Sequence, residues 1–94
     1  MRYLKIEWIH NLEHEPIIIY SEIDDKYNEI RKVEIYRDNK IEYADLNTEF
    51  GGTRLSEEPL LTLSETASDN QFKPMEIGKR EFEKVWLKRI QCNK

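Results

Sequence analysis

Apolar residues fall on every second position near the N-terminus. Leu4, Ile6 and Trp8 point one way and Lys5 and Glu7 the other, which predicts a strand with one buried face over Tyr3 to Ile9. The polar stretch His10 to Glu15 ends at Pro16 and reads as a loop. The run Ile17-Ile18-Ile19-Tyr20 is β-branched and aromatic and continues through Ser21-Glu22-Ile23. Apolar on both sides, it predicts an interior strand covered on both faces for part of its length. Asp24 to Asn28 is a turn. Arg31, Val33 and Ile35 then share one side of a third strand, with Lys32, Glu34 and Tyr36 on the other. Arg37-Asp38-Asn39-Lys40 is a hairpin connection in which Asp38 or Asn39 tolerates positive φ, and Ile41 to Ala44 is the return strand. Connections this short make the four-strand meander antiparallel.

The middle of the chain is less regular. Gly51-Gly52 permits backbone angles that other residues avoid. Thr62 or Ser64 can cap a short helix running to about Ser68, and Thr62 with Glu65 has capping-box spacing. Pro74 blocks helix in the next segment. From Lys79 to about Ile90 the residues Phe82, Val85, Trp86 and Ile90 form one apolar helical face, with Glu81, Lys84 and Lys88 on the wet face and Arg89 placed to suit the helix dipole. The expected fold is α+β: a single domain over residues 1–94, with an antiparallel sheet of four to five strands and the C-terminal amphipathic helix packed on one face.

Composition narrows the function. No apolar stretch approaches the ~20 residues that span a bilayer. The N-terminal residues Met1 to Glu7 carry charges every few positions, unlike a secretory leader. One cysteine, Cys92, cannot form an internal disulfide, so the expected compartment is the reducing cytoplasm. Residues 1–72 carry 16 Asp and Glu against 8 Lys and Arg, a balance of −8, whereas residues 73–94 carry 3 against 7, a balance of +4. An acidic body repels phosphate backbones, so nucleic acid is not the expected partner. Such a surface serves solubility, or it meets a basic protein.

Catalytic and metal-binding patterns are missing. His10 and His14, beside Glu13 and Glu15, have the i,i+4 spacing of a zinc pair, but they lie in a loop and no further ligand completes the set. Cys92 is far in sequence from both histidines, and no serine sits at a nucleophile elbow. Asp24, Asp25, Asn28 and Glu29 lack the glycine and length of a calcium loop. Gly51-Gly52-Thr53-Arg54 lacks the Gly-Lys-Ser/Thr ending of a phosphate-binding loop. Trp8 and Trp86 lie in apolar stripes and suit core packing. Tyr20, Tyr36 and Tyr43 either pack across strands or, where one faces solvent, anchor a partner. No catalytic residue, metal site or cofactor is expected.

The pattern Trp8-Ile9-His10, Glu15-Pro16, Tyr20-Ser21-Glu22, Arg31-Lys32-Val33-Glu34, Gly51-Gly52-Thr53 and Glu81-Phe82-Glu83-Lys84-Val85-Trp86 resembles a family of small bacterial domains of unknown function. That resemblance covers nearly the whole chain and brings no catalytic residues with it. In size, acidity and lack of a leader the chain is also similar in type to immunity proteins of contact-dependent growth inhibition. The function this implies is a non-enzymatic immunity protein that covers the active site of a toxin, a basic nuclease domain. Glu13, Glu15, Asp24, Asp25, Glu57 and Glu58 would stand where phosphates otherwise bind, and an exposed tyrosine would anchor the contact. The alternative is an adaptor that recognises another protein, for instance by a sheet edge.

Overall fold

A computed structural model describes the backbone of residues 1–92 and the side chains through Arg89. The elements are β1 (Arg2–Trp8), β2 (Ile18–Ile23), β3 (Glu29–Ile35), β4 (Ile41–Ala44), β5 (Glu49–Phe50), α1 (Leu63–Ala67), β6 (Phe72–Ile77) and α2 (Lys79–Cys92). The strands form one antiparallel sheet in the order β5-β4-β3-β2-β1-β6. The α+β class and the C-terminal helix on one face agree with the sequence. The sheet has six strands rather than four to five. The additions are the two-residue β5 and β6, which returns to pair with β1 on the far edge. Pro74 excludes helix from this segment but not strand, because an edge strand tolerates a residue that cannot donate to the ladder.

The meander follows the predicted alternation. Tyr3, Tyr20, Val33 and Tyr43 lie across four neighbouring strands on the face that α2 covers, here called the helix face. Phe82 and Val33 are wholly buried there, and Val85 and Trp86 nearly so. Glu81, Lys84 and Lys88 are exposed, as the helical periodicity requires. Ile90, expected on the apolar stripe, and Cys92, expected as an exposed thiol, have side chains outside the described residues. Asn39 takes the positive φ expected in the hairpin connection, at 70°. Tyr27 does the same in the β2–β3 turn, at 65°.

One charged residue sits inside the apolar interface. Arg31, on β3, pairs in register with Glu22 on β2 and faces α2. Its Nε donates to Glu22 at 2.6 Å, and its two Nη atoms donate to Glu83 of α2 at 2.6 and 3.0 Å. The guanidinium also lies 4.8 Å from the ring centre of Phe82 and 5.0 Å from that of Trp86. Fork-shaped pairing of this kind fixes orientation as well as energy. Arg31 therefore sets the rotation and position of α2 on the sheet. The hydrogen bonds to Glu83, with Glu22 behind them, raise the Arg31 pKa and hold the guanidinium charged. Reciprocally, the hydrogen bond from Arg31 holds the Glu83 carboxyl below its usual 4.5.

Two outcomes follow for stability. Trp86→Ala removes a buried ring from the centre of the interface and is expected to cost about 3–5 kcal/mol, read from denaturant midpoints. A variant that melts within a few degrees of the parent would show that α2 does not dock through this ring. Because the Glu83 carboxyl titrates lower when folded than when unfolded, its contribution is complete above its unfolded pKa and is lost as pH falls. Glu83→Gln is therefore expected to be less stable near neutrality and to lose less stability than the parent between about pH 5 and about pH 3.

Candidate functional site

The other face of the sheet is covered by the connection between β5 and β6 and is here called the loop face. Its strand residues are mixed: Leu4, Ile6 and Ile19 beside Ser21, Glu29, Lys32, Glu34 and Glu42. Buried polar groups need partners, and these come from the connection itself. The Glu29 side chain is wholly buried. It accepts from Ser21 Oγ at 2.7 Å and from the Ser56 amide at 2.8 Å, and Lys32 Nζ lies 3.5 Å away. Lys32 also donates to the Arg54 carbonyl at 2.8 Å. Further on, the Leu60 amide donates to the Tyr27 carbonyl at 2.8 Å. These bonds strap residues 54–60 across the loop face.

Gly51 begins the strap. Its φ of +85° favours glycine, and a β-carbon there would run into the Glu42 side chain. Gly51 thus lets the backbone pass close to the Glu42 side chain of β4. The adjoining open groove of about 470 Å³ holds Lys32, Lys40 and Arg54 against Glu15, Glu34 and Glu42. Lys40 lies 3.4 Å from Glu42, and Tyr36 donates to Glu42 at 2.9 Å. Burial, then the bond to Glu42, pushes the Tyr36 phenol above its ordinary range. This groove is balanced in charge, and its Lys32, Lys40, Tyr36 and Glu42 are held by internal partners.

After the strap, Thr62 caps α1 through the predicted capping box: its hydroxyl accepts from the Glu65 amide, and the Glu65 carboxylate accepts from the Thr62 amide. The backbone amide of Thr62 is the leading cause that holds the Glu65 carboxyl below its usual range. No residue of α1 is buried, so the helix rests over the sheet rather than wedging into it. Residues 55–72 carry Glu57, Glu58, Glu65 and Asp69 and no lysine or arginine. On the opposite face, α2 carries Lys79, Arg80, Lys84, Lys88 and Arg89. The sheet thus separates an acidic covering from a helix rich in cations.

The six acids selected from the sequence do not gather on one surface. Glu57 and Glu58 lie on the strap, next to the β2–β3 turn that carries Asp24 and Asp25. Glu57 also lines a hollow with Asp45, Glu49 and the exposed Leu46. Glu13 and Glu15 lie in the β1–β2 loop, at the other end of the strands. Asp24 is occupied within its own turn: its carboxylate accepts from the amides of Lys26 and Asn28 and from the Asn28 side chain, and the Asn28 amide is the leading cause of its lowered pKa. Among the tyrosines, Tyr20 is buried in the core, while Tyr36 and Tyr43 are half-buried and packed. None stands out as an anchor. Leu46 and Leu61 are the exposed apolar residues of the acidic region. Both ring nitrogens of His10 are engaged by its own loop, with Pro16 O at 2.7 Å and the Leu12 amide at 2.9 Å. Asp69 and Leu61 were not singled out from the sequence, and Glu65 only as the capping partner of Thr62, although the absence of any cation over residues 55–72 is legible there.

The sheet edges are blunt. β5 has two residues, and β6 bears Pro74 together with Lys73 and Glu76. Short strands, proline and edge charges all oppose the addition of a foreign strand. Among the described residues no group of three or more metal-binding side chains converges, and no helix is long and apolar enough to cross a membrane.

Over residues 2–91 the chain matches the family described as a domain of unknown function (DUF6881), and it belongs to that family. No curated protein and no solved structure matches it.

The strap has a direct test. Glu29→Ala leaves Ser21 and the Ser56 amide without their buried acceptor, a loss of about 1–3 kcal/mol for unsatisfied groups. Hydrogen exchange at Ser56 and Leu60 is expected to accelerate more than exchange in β2. Unchanged protection at both amides would show that Glu29 does not hold the strap.

Proposed function

We propose that this family member is a cytoplasmic immunity protein, a non-catalytic domain that neutralises a bacterial toxin by covering its active site with the loop face. The observation that carries this reading is the charge separation: Glu57, Glu58, Glu65 and Asp69 with no cation over residues 55–72, set behind a sheet from the cationic α2. A nuclease site is basic because it holds phosphates, and a surface of fixed carboxylates is complementary to it. The strap supplies the rigidity that such a surface needs, since ordering a loop on binding would subtract from affinity. Asp25, Asp45 and Glu49, at the same end of the sheet as Glu57 and Glu58, extend the acidic surface, in which Lys26 and Arg54 are the interspersed cations. Glu13 and Glu15 stand apart from it. The apolar contact falls to leucines rather than to a tyrosine.

The test is co-expression with a candidate toxin domain from a neighbouring gene, followed by binding kinetics across salt. Glu57→Lys with Glu58→Lys is expected to slow association by about tenfold at low ionic strength, with little change in melting temperature because both side chains are exposed. The difference should shrink as salt rises past about 0.1 M, where the Debye length is about 10 Å. Asp25→Lys should act in the same sense. Asp24 is a poor choice for reversal because its carboxylate holds the turn. Absence of both protection and binding at low salt would remove the immunity reading. Tight binding with salt-independent rates would remove its electrostatic basis.

A further inference from the structure

Beneath α1 lies a second hollow of different character, and its lining is mostly apolar. Leu4, Ile6 and Ile19 of the sheet form its floor, Leu61 and Phe72 stand at its sides, and Glu65 and Asp69 border it. Leu4 is almost wholly buried, while Leu61 is 60% exposed at the mouth. The volume is about 260 Å³. That is below the roughly 300–1,000 Å³ of small-molecule sites, and the cleft lacks the convergent polar groups that orient such ligands. It is the right scale for a single side chain of another polypeptide.

The border decides which polypeptide. Glu65 and Asp69 both border the cleft, where each accepts a local backbone amide, Glu65 from Thr62 at 2.9 Å and Asp69 from Gln71 at 3.0 Å, and two negative charges at one border favour a cation. Among the described residues neither carboxylate forms an ion pair. An apolar hole with two carboxylates at its mouth is matched by an apolar side chain with a cation beside it.

We propose that the cleft between α1 and the sheet is a docking site for a partner segment presenting one apolar side chain flanked by lysine or arginine. The inference rests on the reading of the loop face as a surface for a basic protein, and it names the anchor that no tyrosine supplies. Buried apolar anchors ringed by polar contacts dominate binding energy at protein interfaces.

The experiment is an NMR titration of the labelled full chain with blocked tripeptides, which needs no knowledge of the natural partner. A leucine between two arginines is expected to give saturable shifts at the amides of Leu61, Thr66, Asp69 and Phe72. A leucine between two glutamates, or an alanine between two arginines, should bind about tenfold more weakly or not at all. Leu61→Ala should remove the shifts with the melting temperature unchanged, because that side chain is mostly exposed. Asp69→Asn should weaken the arginine peptide and leave any residual binding of the glutamate peptide unaltered. Shifts that never saturate at millimolar peptide, that are equal for all three peptides, or that map outside the cleft overturn the proposal. So does self-association of the free protein through this face in sedimentation. A silent cleft combined with toxin protection that depends on Glu57 and Glu58 would sink the docking site alone. Peptide binding at the cleft without toxin protection would uphold the site and sink the immunity reading.

Discussion

Arg31 is the constraint on which the rest of the fold depends. A charge placed among Phe82, Trp86 and the aromatic residues of the sheet is costly unless every donor is used. Here Nε goes to Glu22 and both Nη atoms go to Glu83, so the guanidinium joins two strands and a helix in one planar arrangement. The neighbouring Phe82 and Trp86 rings favour the same position, their centres 4.8 and 5.0 Å from the guanidinium carbon. An apolar stripe on a helix can slide or rotate on a sheet with modest loss, because burial is non-directional. A forked ion pair cannot. Removing Glu83 would leave the partly buried Arg31 with Glu22 as its remaining carboxylate partner, and removing Arg31 would leave the buried Glu22 without its ion-pair partner. The network therefore excludes alternative dockings of α2 even if its net contribution to stability is small.

With α2 committed to one face, the opposite face must be closed by what remains of the chain. That face is half polar, because β3 and β4 place Glu29, Lys32, Glu34 and Glu42 there. A second amphipathic helix would bury these groups without partners. An irregular strap can offer them backbone amides and carbonyls, and it does so through Ser56 and Arg54. The two faces thus have different chemistry for the same reason that they have different covers. Lys79, Arg80, Lys84 and Lys88 lie on the solvent side of α2, and after Arg54 the strap and α1 carry acids and no cation. The separation of charge that suits a basic partner is in this sense a product of the sheet's own alternation.

Much of this was legible in the residues. Period-two alternation located the first four strands and placed Arg31, Val33 and Ile35 on one face, and the capping box located α1. The 3.6 period located α2 and its buried ring residues. What escaped had weak or contrary local signals. β6 contains Pro74, with Lys73 before it and Glu76 two residues on, and is a strand only because β1 offers it an edge. β5 is too short for any periodicity. Glu83 looks like one more helix charge, and only the cross-strand register, which sets Arg31 beside Glu22 and beneath α2, gives it a partner. Glu29 reads as one acid in an acidic turn, although its side chain is wholly buried. The six acids selected by sequence proximity divide between opposite ends of the sheet, a separation that depends on which loops share an end. The exposed tyrosine failed because all three strand tyrosines have packing or hydrogen-bond partners.

The residues that carry the family likeness divide in the same way. Glu22, Arg31, Phe82, Glu83 and Trp86 form the helix-docking network, and Gly51 gives β4 room for Glu42. None of the quoted blocks lies within residues 55–72. The family match spans residues 2–91, sheet, strap and helix alike, and carries no function for the loop face. That face can change without disturbing the lock: α1 buries no residue, and exposed substitutions away from special features usually shift stability by no more than about 0.5 kcal/mol. A scaffold with a rigid core and a cover whose outward side chains are energetically independent of it can present many surfaces. In this chain the surface is acidic with apolar gaps, and the chemistry of a partner has to be sought there rather than in the motif.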